Sequence, residues 1–172
     1  MPDDRPPRDI IWAPWRMSYL DDEHDGAHDG PACVFCAIGS RPADDARNYV
    51  LARSGLCFAV LNLYPYNNGH LMVIPYRHVP SLLDLDDAET GDVMALARRA
   101  QRVLQDALHP HGVNLGMNQG RAAGAGIPEH LHTHILPRWD ADTNFMSPLA
   151  NVRVMPQSLD ETYSLLLPGF AT

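Results

Sequence analysis

Near the C-terminal third of the chain His130, His132 and His134 alternate with Leu131, Thr133 and Ile135. In an extended strand such residues point to one face at intervals of ~6.6 Å, with Leu131, Thr133 and Ile135 on the other. A row of imidazoles over an apolar underside admits three chemistries. One ring can act as a nucleophile toward phosphorus, two rings at i and i+2 can grip a metal such as zinc, or histidine is simply the polar choice on a half-exposed strand. The residues just ahead favour the first. Asn118-Gln119-Gly120-Arg121-Ala122-Ala123-Gly124-Ala125-Gly126 is rich in small residues that let backbone N–H groups approach an anion. This loop is no dinucleotide fingerprint, because it joins two expected strands and does not open a helix.

Cys33 and Cys36 have the spacing of a zinc-binding pair, which would need two further ligands. With three cysteines in all, a disulfide framework is disfavoured and a reduced, cytoplasmic setting is expected. Cys57, beside Phe58, Val60 and Leu61, reads as core. His24 and His28 lie among Gly and Asp in an acidic stretch, 21–31, read as a loop with solvated histidines. The net charge of -8 argues against broad nucleic-acid binding. All 13 basic residues are arginine, which rules out a lysine nucleophile, a Schiff base and a P-loop lysine. Trp12, Trp15 and Trp139 read as packing residues, and Arg16 and Arg138 as surface ion-pair partners. No apolar run suits a membrane span or a secretory signal.

The elements that must carry these residues follow from periodicity. Strands are expected at Tyr49–Arg53, Leu56–Leu63 and His70–Tyr76, broken by Ser54-Gly55 and by Pro65-Tyr66-Asn67-Asn68-Gly69. Val93, Leu96, Ala97, Ala100, Val103, Leu104, Ala107 and Leu108 mark one face of a long helix that starts near Asp86, Asp87 and Glu89 and ends at His109-Pro110. Strands at Gly112–Asn118 and His130–Leu136 follow, and a short helix near Leu159–Leu167 closes the chain. The first forty-odd residues, punctuated by proline, read as irregular. Strands in succession around one inserted helix indicate an α+β fold with antiparallel neighbours. Residues 1–48 form an N-terminal extension bearing the loop and the cysteine pair, and 49–172 form the main domain, the whole being one folding unit.

His130-Leu131-His132-Thr133-His134-Ile135-Leu136 resembles the signature of the histidine-triad (HIT) family. Asn62-Leu63-Tyr64-Pro65-Tyr66-Asn67-Asn68-Gly69-His70-Leu71-Met72-Val73-Ile74-Pro75 looks like that family's second signature. The likeness extends through Trp12–Met17, Pro137-Arg138-Trp139 and Thr143–Met146, and is greatest to the bacterial diadenosine tetraphosphate phosphorylase-like branch. The resemblance implies an antiparallel half-barrel sheet with one long helix, paired into a homodimer, and cleavage of dinucleoside polyphosphates at the α-phosphorus. By it, His132 attacks to form a nucleotidyl-histidine, His134 contacts phosphate oxygens, and His70 supports the triad. Asn62 hydrogen-bonds the ribose, or else caps the turn before Tyr64-Pro65. Asn118 and the amides of Gly124, Ala125 and Gly126 take up developing charge. Some relatives complete a zinc site with the histidine after the second signature and the first of the triad, here His78 and His130, alongside Cys33 and Cys36. No organic cofactor is implied. Where relatives carry a glutamine or a hydroxyl residue before the triad, this chain has Ala125-Gly126-Ile127-Pro128-Glu129. Phosphorolysis is expected. The alternatives are hydrolysis by water, a metal-dependent hydrolase with the triad as ligands, and a nucleotide-binding module without catalysis.

Overall fold

A computed structural model describes residues 33–140, 142 and 157–171. The expected loop 21–31, Trp12, Trp15, Arg16 and the Thr143–Met146 match lie outside these residues. Five strands, β1 (Val50–Arg53), β2 (Cys57–Leu61), β3 (Leu71–Pro75), β4 (Gly112–Met117) and β5 (Thr133–Arg138), form one open antiparallel sheet in the order β1-β2-β3-β5-β4. Helix α1 spans Val34–Gly39, α2 Asp87–Leu108 and α3 Leu159–Leu166. The fold is α+β, as the succession of periods implies.

Side-chain alternation divides the sheet into two apolar layers. Cys57, Ala59, Leu61, Leu71, Val73 and Ile135 face α2, meeting Val93, Leu96, Ala97, Ala100, Val103 and Leu104. Phe58, Val60, Met72 and Ile74 face the other way, toward Phe35 of α1. Helix α2 begins where a capping box is expected: Glu89 N–H donates to Asp86 Oδ1 at 2.8 Å and Asp86 N–H donates to Glu89 Oε2 at 3.0 Å. It ends at His109, in the left-handed region at φ 48°, ψ 50°. Between β2 and β3 the chain turns at Gly69, φ 76°, where a Cβ would stand 2.6 Å from Leu108 Cδ1. Only glycine fits there, and the turn delivers His70 to the start of β3.

Two features depart from expectation. Helix α1 lies in a stretch read as irregular; it is short, and its residue Phe35 is buried. The triad strand begins at Thr133, not His130, and runs on to Arg138. The ladder to β3 ends at Thr133↔Val73 because Pro75 lacks the N–H that a further rung would need. The Pro75 carbonyl is instead 2.9 Å from His130 Nε2. His130 therefore lies in a bend and His132 on irregular chain leading into β5, with Leu131 N–H donating to Val79 O at 2.6 Å.

Candidate active site

Each triad ring has its tautomer set by a partner. A carbonyl oxygen can only accept, so His132 Nδ1, 2.8 Å from His130 O, carries the proton. Its Nε2 is then a bare lone pair. Burial holds the imidazole below its ordinary pKa, opposed by that backbone bond, and the ring is only 4% exposed. A neutral ring with one tethered nitrogen and one free lone pair is a nucleophile.

His70 and His134 form a second chain of donors. The Tyr66 amide donates to His70 Nδ1 at 3.1 Å, so His70 bears its proton on Nε2. That proton faces His134 Nδ1 at 2.9 Å. His134 therefore accepts at Nδ1 and keeps its own N–H at Nε2, a donor suited to an anionic oxygen. Burial first, and the neighbouring His132 second, push the His134 pKa down to about 4. The His132 and His134 rings meet edge to face with centroids 4.8 Å apart. Tyr66 lies against His70 at 4.8 Å; the sequence alone gave it no role, although it sits inside the second signature.

The β4–β5 register shapes the surface beside these rings. Gly116 pairs with His134 and Met117 with Thr133, so Asn118, one residue on, flanks His132. A Cβ on Gly116 would meet nothing within 4 Å, which leaves open space next to His134. Asn62 caps the turn, its Oδ1 accepting from Tyr64 N–H at 2.9 Å, and its Nδ2 is 3.4 Å from His70 Nδ1. In the loop before the triad, Gly124 N–H donates to Arg121 O at 2.9 Å and Ala125 N–H to Gly120 O at 3.3 Å. These two amides close the loop's own turn, so of the three expected anion donors only that of Gly126 is not given to this turn. Arg138 forms a two-toothed pair with Asp142, at 2.6 and 2.8 Å, and donates to Asn114 at 2.8 Å; it is an ion-pair partner, as expected. Cys57 is fully buried.

His130 belongs to a different group. With its Nε2 proton donated to Pro75 O, its Nδ1 is bare and lies 3.2 Å from Cys33 Sγ, 3.6 Å from Cys36 Sγ and 3.2 Å from His78 Nδ1. His78 Nδ1 is 3.3 Å from Cys36 Sγ, and all four ligand atoms lie within 4.8 Å of one another. Ligands on a tetrahedral zinc stand roughly 3.3–3.8 Å apart, from bonds of about 2.0–2.3 Å, so the donor set fits that ion in number and type, and the four separations of 3.2–3.6 Å are close to the spacing it needs. Burial, and then the adjacent Cys33, push the Cys36 thiol pKa up, the handicap that a bound cation offsets. Arg77 pairs with the carboxylate of Glu89, 2.8 Å from Oε1, and fixes the residue next to His78 to the start of α2.

Comparison with known proteins identifies the family. The HIT domain model matches residues 44–141. A Mycobacterium tuberculosis protein named AP-4-A phosphorylase is 43% identical over 94% of this chain and 84% of its own length. A Schizosaccharomyces pombe bis(5'-nucleosyl)-tetraphosphatase (asymmetrical) is 40% identical over 54% of this chain and 50% of its own length. Among solved structures, a Zn-bound histidine triad family protein from Mycobacterium smegmatis aligns with a TM-score of 0.65 and 30% identity, over 81% of this chain and 94% of that one. By the triad, the sheet that carries it and these likenesses, the chain belongs to the histidine-triad (HIT) family.

Proposed function

We propose that this chain is an enzyme that cleaves dinucleoside polyphosphates at the α-phosphorus, with His132 as nucleophile and inorganic phosphate as the second substrate. The observation that carries the reading is the tether of His132 Nδ1–H to the His130 carbonyl, which presents Nε2 as a lone pair. That nitrogen forms a bond to the α-phosphorus while the bond from phosphorus to the bridging oxygen breaks; diadenosine tetraphosphate would leave ATP. A phosphate oxygen then attacks the nucleotidyl-histidine, the P–N bond breaks, and ADP departs with His132 restored. His134 Nε2–H contacts the phosphate oxygens, and Asn118 and the amide of Gly126 support the same charge. Asn62, already the turn cap, offers the ribose its remaining amide hydrogen. The name of the mycobacterial relative, matched over most of both chains, favours phosphorolysis over hydrolysis.

Incubation with diadenosine tetraphosphate, with and without phosphate, tests this reading. ADP plus ATP formed only with phosphate is the expected result; AMP plus ATP under both conditions replaces it with hydrolysis. A labelled adenylyl group should be trapped on the native chain and not on His132→Ala, and its absence from both would leave a nucleotide-binding module.

Zinc at Cys33, Cys36, His78 and His130 is part of the same proposal, supported by the donor set and by the Zn-bound mycobacterial neighbour. When bound it would supply rigidity, holding the His130 ring and through it the carbonyl that orients His132. A homodimer in a cytoplasmic setting completes the reading. Strand β4 is a sheet edge whose Leu115 is exposed and shares a shallow hollow with Met94 of α2. Sedimentation of the native chain should give a dimer, and Leu115→Glu a monomer. Among the described residues no helix is long and apolar enough to cross a membrane.

A further inference from the structure

We infer that Phe35, which lies between the two cysteines on α1, is a positioning residue for His132. The inference rests on the proposed role of His132 as nucleophile. The Phe35 ring is 5.2 Å from the His132 ring at an angle of 58° and 5.5 Å from the His130 ring at 90°. It is 5% exposed. His134 covers another side of His132, edge to face at 4.8 Å. The nucleophile is thus held in three directions: by Phe35, by His134, and by the Nδ1–H bond to His130 O. The hydrogen bond alone leaves the ring free to swing about it. Two flat neighbours remove that freedom, so that Nε2 keeps one direction toward the cleft.

Phe35 can do this because its helix is clamped at both ends. At the N-terminal end Cys33 and Cys36 pack against His130 and His78. Cys33 adopts φ 47°, a region costly for a side-chain-bearing residue and kept only where the surroundings impose it. At the C-terminal end Arg53 donates to Gly39 O at 2.8 Å and to Ile38 O at 2.9 Å, while its guanidinium is fixed by Asp45 at 2.7 and 2.9 Å. Phe35 sits between these anchors.

The test compares Phe35→Leu with Phe58→Leu. Phe58 is fully buried in the same layer, but its ring stacks on Tyr76 at 5.5 Å. Single-turnover transfer of a nucleotidyl group to His132 should slow about 10- to 100-fold in Phe35→Leu, with KM within about two-fold of the parent. It should slow less than about three-fold in Phe58→Leu, whose loss of melting temperature is of similar size. Phe35→Met replaces Phe35→Leu if the latter does not fold. A parent-like rate at position 35, or an equal loss in both variants, overturns the inference. The mobility of the His132 ring, read without substrate from side-chain NMR relaxation, should be low in the parent and in Phe58→Leu and raised in Phe35→Leu, with the Nδ1–H tautomer kept in all three because the bond to His130 O remains. If the parent forms no nucleotidyl-histidine, the proposed function fails; a His132 ring as rigid in Phe35→Leu as in the parent overturns the positioning claim whatever the outcome for the function.

Discussion

At the scale of single residues, proton positions carry the chemistry. Tyr66 N–H to His70, His70 Nε2–H to His134, and His134 Nε2–H toward the cleft form one directed row. Removing its middle member should release the last proton. His70→Ala is expected to lower kcat by about 10²-fold with little change in KM, because it misaligns a donor used mainly in the transition state; an unchanged kcat would sink the row as a working device. Protonation also follows. An isolated histidine titrates near 6.5, whereas His134 is held at about 4 by burial and by His132. The unfolded chain therefore takes up the proton first, so the stabilising contribution of this group is present above about 6.5 and is lost as pH falls toward 4. An NMR titration of the His134 ring should show its midpoint below 5, and a midpoint near 6.5 contradicts the burial described here.

At the scale of elements, legibility in the sequence tracked the number of independent local signals. Helix α2 has an apolar stripe repeated over 22 residues and a capping box, so period and cap agree and both ends were readable. Asp86→Ala, which removes the cap, should cost about 1 kcal/mol and lower the melting temperature while leaving the transfer rate unchanged. His109→Gly should raise stability by roughly 1 kcal/mol by relieving the left-handed C-cap. Denaturant midpoints measure both. Helix α1 gave no such signal: six residues make too few turns for a period to show, and its start is fixed by the contacts of Cys33 and Cys36 with His130 and His78, far along the chain. The triad strand was placed on the right face, but its first residue was not legible. Its start depends on Pro75 in the partner strand, and a missing N–H there is a tertiary fact. Likewise, the glycine-rich loop read as a set of amide donors spends the Gly124 and Ala125 amides on its own turn. A composition of small residues permits close approach of an anion without reserving the N–H groups for it.

At the scale of the molecule, the thiol–imidazole cluster joins segments that are 97 residues apart, from Cys33 to His130, and 52 apart, from His78 to His130. A metal holding all four would close these long loops in the folded chain, and through His130 it would brace both the Pro75 end of β3 and the carbonyl behind the nucleophile. Closing a loop of such length is worth on the order of 4–5 kcal/mol in a chain-entropy account. Native protein should therefore carry about one zinc per chain by mass spectrometry, and chelation should lower the melting temperature markedly. Cys36→Ser should lose the metal and melt earlier in the same way. Activity loss on chelation cannot by itself separate this bracing role from a metal that touches substrate. The separation comes from working well below the melting temperature, where the metal-free chain stays folded. There, slowed but persistent labelling of His132 is expected, because the Nδ1–H to His130 O tether is a backbone contact that survives loss of the ion. Complete loss of labelling in folded, metal-free protein, restored by zinc, would instead place the metal in the chemistry and make the triad histidines ligands.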